Sequence, residues 1–142
     1  SLTNQNWYNL YKACQNVVTG KENVKSTMIY GVQWDATMDW LKATKFQADP
    51  SKVDTDSSSW GNYGSSSKID TGSNTTYEAN GIFDLAGNCW EWTQEAYSTH
   101  YRVARGGSYY DSGSVSPASD RDTYGPSNSY SSISSRATLY MS

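Results

Sequence analysis

Aliphatic side chains are scarce in this chain of 142 residues: Val, Ile, Leu and Met together number 19, fewer than the 20 aromatics. So few aliphatics would suggest disorder, but disorder also requires high net charge and few aromatics. Neither holds, because the net charge is −3 and aromatics make up 14% of the chain. No apolar run approaches the ~20 residues that a membrane helix needs. No charged-then-apolar leader opens the chain, although an export signal could have been removed before residue 1. An excess of one charge is also missing, since 11 Lys and Arg face 14 Asp and Glu without forming a basic stripe. Nucleic-acid binding through phosphate neutralisation is therefore not expected. Histidine occurs once, at His100, and cysteine twice, at Cys14 and Cys89. Cysteines so far apart exclude a local metal cluster and a small disulfide scaffold, leaving one long-range bridge or two free, buried thiols. The redox compartment stays open.

The length fits one domain, residues 1–142. Each aromatic can bury ~150–250 Å² while keeping a polar handle at the surface. Ser (23), Thr (13), Asn (10) and Gly (11) favour turns over long regular elements. The expectation is a loop-rich fold around an aromatic core.

Along the chain, Trp7, Leu10, Tyr11, Cys14, Val17 and Val18 recur at helical spacing within 6–18, with Gly20 as a stop signal. After the apolar Met28-Ile29-Tyr30, residues Trp34, Met38 and Leu41 share one face of a second helix ending near Thr44. From Gln47 to Asn80 the pattern dissolves into small polar residues, with Trp60 and Tyr63 as anchors of a long surface excursion. Strand-like segments follow at Ile82–Leu85, Trp90–Ala96, Arg102–Arg105 and Arg136–Met141. In the second of these, Trp90, Trp92 and Gln94 alternate with Glu91, Thr93 and Glu95. In the last two, Val103 and Ala137-Leu139-Met141 are candidate inward faces. Helices first and short strands later predict an α+β fold with an antiparallel sheet.

Residues 81–93 read Gly-Ile-Phe-Asp-Leu-Ala-Gly-Asn-Cys-Trp-Glu-Trp-Thr, and 102–109 read Arg-Val-Ala-Arg-Gly-Gly-Ser-Tyr. Together they resemble the formylglycine-generating-enzyme (sulfatase-modifying factor) family, whose signature pairs G-N-x-W-E-W with R-V-x-x-G-G-S. Met28–Leu41 resembles the family's P-T-E-x-E-W helix with Pro, Thr and Glu replaced, and Ser59-Trp60-Gly61-Asn62 resembles its W-G-N turn. The likeness runs from about residue 7 to the end. It implies a C-type-lectin-like fold of two helices, a small antiparallel sheet and much irregular backbone. The family carries more chain before its first helix, so the fold's opening strand lies upstream or is missing.

The family holds oxidases that make formylglycine, non-haem iron enzymes, and non-enzymatic variable proteins of diversity-generating retroelements, and fold alone does not choose between them. The oxidases' copper-binding cysteines follow R-V-x-x-G-G-S-Y, where residues 110–116 here contain none. Cys89 sits inside G-N-x-W-E-W as a core filler. Iron enzymes need several His and carboxylate ligands, and one histidine does not supply them. No G-x-S-x-G elbow supports a serine hydrolase. An enzyme is not expected, and no cofactor is required.

The last third is selective in a different way. Residues 1–95 hold 24 Lys, Glu, Gln, Met and Trp, whereas residues 96–140 hold none. One reading is a solvated Ser/Tyr-rich loop. The other comes from the retroelement group, whose randomised AAY codons cannot encode those five residues. The family's Gly-Phe-Arg also reads Ser134-Ser135-Arg136 here. On that resemblance the variable region covers about 108–135. Tyr109, Tyr110, Tyr124 and Tyr130 are its aromatic anchors, because tyrosine gives rigid amphipathic contact at low entropy cost. Asp111, Asp120, Asp122, Thr123 and Val115 join them, with Ser116, Ser132, Ser134 and Ser135. The resemblance implies a protein or cell-surface ligand, and a place on a phage virion or bacterial cell surface. The alternative is a degenerate or structural family member, and an active oxidase ranks third. In the family, D-x-x-G-N-x-W-E-W can also hold calcium, implying Asp84 and Glu91 as side-chain ligands and Gly87 and Cys89 as carbonyl ligands. Otherwise Asp84, Asn88 and Glu91 satisfy local backbone donors.

Overall fold

The computed structural model describes residues 1–142. Its first helix, α1 (Trp7–Gln15), begins at Asn6, whose side chain accepts the N–H of Asn9 at 2.9 Å. That contact satisfies one of the free donors of the first turn. The helix stops at Asn16, whose N–H turns back to Ala13 and Cys14. It is therefore shorter than the apolar spacing predicts. Leu10 and Cys14 are buried, but Val17 lies beyond the helix and is exposed. Strand β1 (Val24–Met28) leads into α2 (Gly31–Ala43), where Gln33 accepts the Tyr30 N–H and fixes the helix start. Trp34, Met38 and Leu41 bury together, and Thr44 ends the helix as expected.

The excursion from Gln47 to Asn80 is more ordered than its composition suggests. It contains the short α3 (Ser51–Asp54), two 3₁₀ turns and β2 (Glu78–Ala79), which pairs with β3 (Ile82–Phe83). Only these two residues of the expected Ile82–Leu85 strand pair, and Leu85 is buried beyond them. Trp60 is buried and donates through its indole N–H to the Lys52 carbonyl at 2.8 Å. Tyr63 is partly buried on the same cluster as Trp34. Both act as the expected anchors.

The main sheet has four strands in the order β6-β5-β4-β7, with β4 at Trp90–Ala96, β5 at Arg102–Arg105, β6 at Arg121–Tyr124 and β7 at Ile133–Ser135. The fold is mixed α+β and C-type-lectin-like, as expected. The sheet is not wholly antiparallel, because β7 runs parallel to β4, with Trp90 opposite Ile133. β4 is also covered on both faces: Glu91 and Thr93 are buried alongside Trp90 and Trp92.

The last strand, β8 (Ala137–Met141), pairs with β1 in a separate two-stranded sheet. Val103 faces inward as expected, but Leu139 and Met141 are exposed. The alternation in β8 defines a face, and that face is largely uncovered. Two apolar clusters result. One joins α2 to Phe46, Val53 and Trp60, and the other joins α1 to Trp90, Trp92 and Ile133.

Candidate functional site

Between β5 and β6 the chain is held by its own polar groups. Gly106 and Gly107 both lie at positive φ, +94° and +76°, a region that side chains rarely adopt. They turn the chain out of the sheet into Ser108. Asp111 then closes a tight turn, its Oδ2 accepting both the N–H and the hydroxyl of Ser108 at 2.9 Å. The Tyr109 N–H donates to the Asn88 carbonyl, and the carbonyls of Tyr109 and Asp111 accept from Ser65 and Gly64. Farther on, Ser57 N–H donates to Gly113, and the Ser57 hydroxyl accepts the Ala118 N–H. Residues 108–118 are thus laced to the 57–65 segment, and Tyr110 (82% exposed) and Val115 (76%) project to solvent.

A second group forms on the edge strand β6 and the turn after it. Tyr124 packs edge-on against Trp92 and tilted against Tyr130, with ring centroids 6.0 and 5.1 Å apart. Its hydroxyl donates to Asp122 Oδ2 at 2.9 Å. Burial first, then this hydrogen bond, raises the Tyr124 phenol above its ordinary range, and the Asp111 charge adds to the effect. Asp122 is exposed, while Thr123, Tyr124, Tyr130 and Ser132 are half-buried. Asp120 is also half-buried, and its carbonyl accepts from Gly106 and from the buried Arg105.

The structure separates other expected members of this surface. Ser116 and Ser134 are buried, so their side chains lie behind it. Ser135 sits 3.4 Å from the Cys14 sulfur, in a cleft of about 320 Å³ between α1 and the last two strands. Tyr124 and Tyr130 are partly core, packed against the Trp90–Trp92 cluster. Alpha-helical residues also contribute. Trp7 stacks on Tyr11 at 5.0 Å, Arg102 lies over Trp7 at 5.1 Å, and the Trp7 N–H donates to the Pro126 carbonyl. Exposed Tyr8 borders this group. The aromatic run Trp7-Tyr8 and Tyr11 was the available signal, but its helical spacing reads as core.

Asn88 has a role that the motif alone does not reveal. It lies at φ +64°, and its Oδ1 accepts from Ile69 N–H and from Asn62 Nδ2, while its own Nδ2 donates to the Ile69 carbonyl. One buried amide thus clamps the 62–69 loop against the sheet.

The cysteines are both free and both buried. Burial pushes the Cys14 thiol up, and it pushes Cys89 up to about 11. Burial thus keeps both thiols protonated at neutral pH in the metal-free chain. An alkaline test follows from Cys89. Its unfolded thiol ionises near the ordinary value of 9.0 while the folded one keeps its proton to about 11. Stability is therefore full below that lower value and declines above it, by up to ~1.4 kcal/mol per pH unit. Denaturant unfolding of Cys89→Ala should show a shallower alkaline decline, and an identical one would assign the loss elsewhere.

The Glu91 carboxylate of the expected calcium set already has a partner. Both Glu91 oxygens are taken by Arg136, at 2.8 Å each, so a guanidinium already occupies the position of a cation. Burial opposes the Arg136 charge, but Glu91 and then Asp84 more than offset it, and the group stays above its usual range. Asp84 accepts the Gly72 N–H through Oδ2, and its buried Oδ1 has no partner. Nowhere do three or more His, Cys, Asp or Glu side chains gather as a metal site. Chelation should leave the melting temperature unchanged. A fall that Asp84→Ala abolishes would restore calcium, because a native-state ligand stabilises by mass action.

A mixed α+β, lectin-like scaffold with an exposed polar-aromatic face is what the geometry presents. Residues 7–137 match the sulfatase-modifying factor enzyme 1-like domain, and the chain belongs to that family. Comparison with curated proteins gives no match. Among solved structures, PvdO from Pseudomonas aeruginosa is similar at TM-score 0.70 and 13% identity, over 99% of this chain and 61% of that one. Treponema denticola variable protein 1 is similar at TM-score 0.59 and 18% identity, over 83% of this chain and 48% of that one. The Major Tropism Determinant U1 variant is similar at TM-score 0.64 and 16% identity, over 96% and 37%. These are likenesses of fold. The chain spans between 37% and 61% of the length of these three structures. No helix is long and apolar enough to cross a membrane.

Proposed function

We propose that this chain is a non-enzymatic ligand-binding protein, a variable protein of a diversity-generating retroelement, displaying a diversified face within about 108–135. The observation that carries this reading is the absence of Lys, Glu, Gln, Met and Trp from residues 96–140. Support comes from where that stretch lies: Tyr110, Val115 and Asp122 are exposed, and Tyr109, Thr123 and Tyr130 are half-buried beside them. Tyrosine anchors among small polar residues suit recognition of varied partners. The partner is a protein or cell-surface molecule, and the chain is carried on a phage virion or bacterial cell surface. The fold likeness to a tropism determinant agrees with that setting.

The deciding experiment is genomic. A reverse-transcriptase gene should lie beside a near-copy of the codons for about 100–140, differing from them only at adenines. A neighbourhood with neither feature sinks the reading. For ligands recovered by selection, Tyr110→Ala with Val115→Ala and Asp122→Ala should abolish binding. The same variant should shift stability by only about 0.5 kcal/mol per site, as exposed positions usually do. The enzymatic alternative has its own test. With copper added, the protein should leave a sulfatase-motif cysteine unmodified, and turnover that Cys89→Ala removes would overturn the non-enzymatic assignment.

A further inference from the structure

Between β5 and β6, residues 108–120 form an arc outside the sheet. Every hydrogen bond between this arc and the rest of the chain uses the arc's backbone, and none uses its side chains. At its start the Tyr109 N–H donates to the Asn88 carbonyl, while the Tyr109 and Asp111 carbonyls accept from Ser65 and Gly64. Midway, the Gly113 carbonyl accepts the Ser57 N–H at 3.0 Å. At its end Ala118 gives its N–H to the Ser57 hydroxyl and takes the Trp34 indole N–H on its carbonyl, both at 2.9 Å. The Arg105 guanidinium then donates to the Ser119 and Asp120 carbonyls, at 2.8 and 3.1 Å.

The outside partners are fixed independently of the arc. Ser57 and Trp34 are fully buried, and Arg105 is 2% exposed. The Ser57 hydroxyl donates to the Lys52 carbonyl at 2.8 Å, which turns a lone pair toward Ala118, and Asp35 holds Arg105 at 2.8 Å. A backbone N–H or C=O is the same group whatever side chain its residue carries, so these bonds do not depend on the arc's exposed residues. The Tyr110 and Val115 side chains point to solvent, and those of exposed Ser112 and Ser114 bond only within the arc. Gly113, Ser116 and Ala118 are different. They are buried, and a Cβ on Gly113 would lie 2.5 Å from the Ser58 nitrogen.

We propose that the 108–120 arc is a preformed recognition platform whose shape and specificity are set by different residues. Tyr110, Ser112, Ser114 and Val115 choose the ligand. Ser57, Trp34 and Arg105, all buried behind the arc, are positioning residues that hold its backbone. This assignment rests on the ligand-binding reading above and narrows it, because Gly113, Ser116 and Ala118 then belong to the shape and not to the contact surface. A platform held in this way binds without first ordering its chain, so little affinity is lost to conformational entropy. Exchanging its exposed side chains changes what is recognised and leaves the backbone in place.

Amide exchange reads the shape without any ligand. In a variant carrying Tyr110→Ser, Ser112→Tyr, Ser114→Tyr and Val115→Asp together, the Tyr109, Ala118 and Ser119 amides should keep the parent's protection to within about threefold. Ser57→Ala takes the acceptor from the Ala118 N–H, whose protection should fall about tenfold while the β4–β5 amides keep theirs. If Ser57→Ala folds poorly, Gly113→Ala, forced off the Ser58 backbone, must give a loss confined to the arc and the Ser57 amide. The binding probe is a peptide that the parent selects from a random displayed library. The four-fold variant should bind it at least about a hundredfold more weakly, as loss of central anchors does. Ser57→Ala, which alters no exposed atom, should weaken it about tenfold by loosening the platform. Lost protection in the four-fold variant overturns the proposal, as do unchanged exchange and binding in Ser57→Ala. Retained binding in the four-fold variant overturns the assignment of specificity. Failure to select any peptide overturns the ligand-binding reading and that assignment with it, while the exchange results decide the shape on their own.

Discussion

Trp92→Ala is expected to destabilise the protein by about 3–5 kcal/mol, the usual cost of emptying a buried aromatic site. That is a large share of the ~5–15 kcal/mol that holds a domain folded. Trp92 is fully buried, on a central strand, against Leu10, Met28, Ala104 and Ile133. Its indole N–H is nonetheless a buried donor without a partner. Trp34 is just as buried, but its N–H donates to the Ala118 carbonyl at 2.9 Å. The two phenylalanine variants should therefore differ. Trp34→Phe strands the Ala118 carbonyl, while Trp92→Phe removes an unsatisfied donor, and it should be the milder change by about 1–3 kcal/mol. Urea titrations of the three variants measure this. Equal losses for the two phenylalanine variants would mean that water or a shift of the backbone satisfies the Trp92 nitrogen.

How far such contacts were legible from sequence depends on what made each element. β4 and β5 match the segments expected from alternation, Trp90–Ala96 and Arg102–Arg105, because their apolar residues pack on the core. α2 was legible for the same reason. β6 was not, because Arg-Asp-Thr-Tyr carries no apolar alternation and lies at a sheet edge. β7 was hidden too, since one isoleucine among serines shows no strand pattern and its parallel partner is 43 positions upstream by register. The 47–80 excursion is ordered by side chains that replace regular ladders. Ser57 and Asn88 are buried and bond backbone groups far along the chain, and buried Asn62 links the Ser67 carbonyl to the Asn88 side chain. Polar composition reads as loop, and nothing in it tells a solvated serine from one that bridges two segments. The same ambiguity affects the site. Tyr110 and Tyr124 look alike in sequence, yet one is exposed and the other seals the Trp90–Trp92 cluster.

Glu91 is the residue whose burial alternation hid most completely, and it carries the second large effect. Its carboxylate and the Arg136 guanidinium meet through two parallel bonds, Nε to Oε2 and Nη2 to Oε1, both at 2.8 Å. Nη2 also donates to the Phe83 carbonyl at 2.8 Å, so one side chain joins β3, β4 and the start of β8. The Glu91 side chain is 9% exposed and that of Arg136 23%. Removing one partner from such a pair leaves a buried charge unmatched, which costs ~3–5 kcal/mol. Arg136→Met should pay that cost, because it leaves the buried Glu91 carboxyl with no cation to answer it. Glu91→Gln should cost less, since the partly exposed guanidinium can still bond to Phe83 and to water. The double variant Arg136→Met with Glu91→Met should recover most of the loss, because buried ion pairs replaced by apolar groups of similar volume are often neutral. A double-mutant cycle in urea reads the coupling directly. If the single losses simply add in the double variant, the pair is a surface contact and Arg136 stabilises the fold through its bond to Phe83 alone.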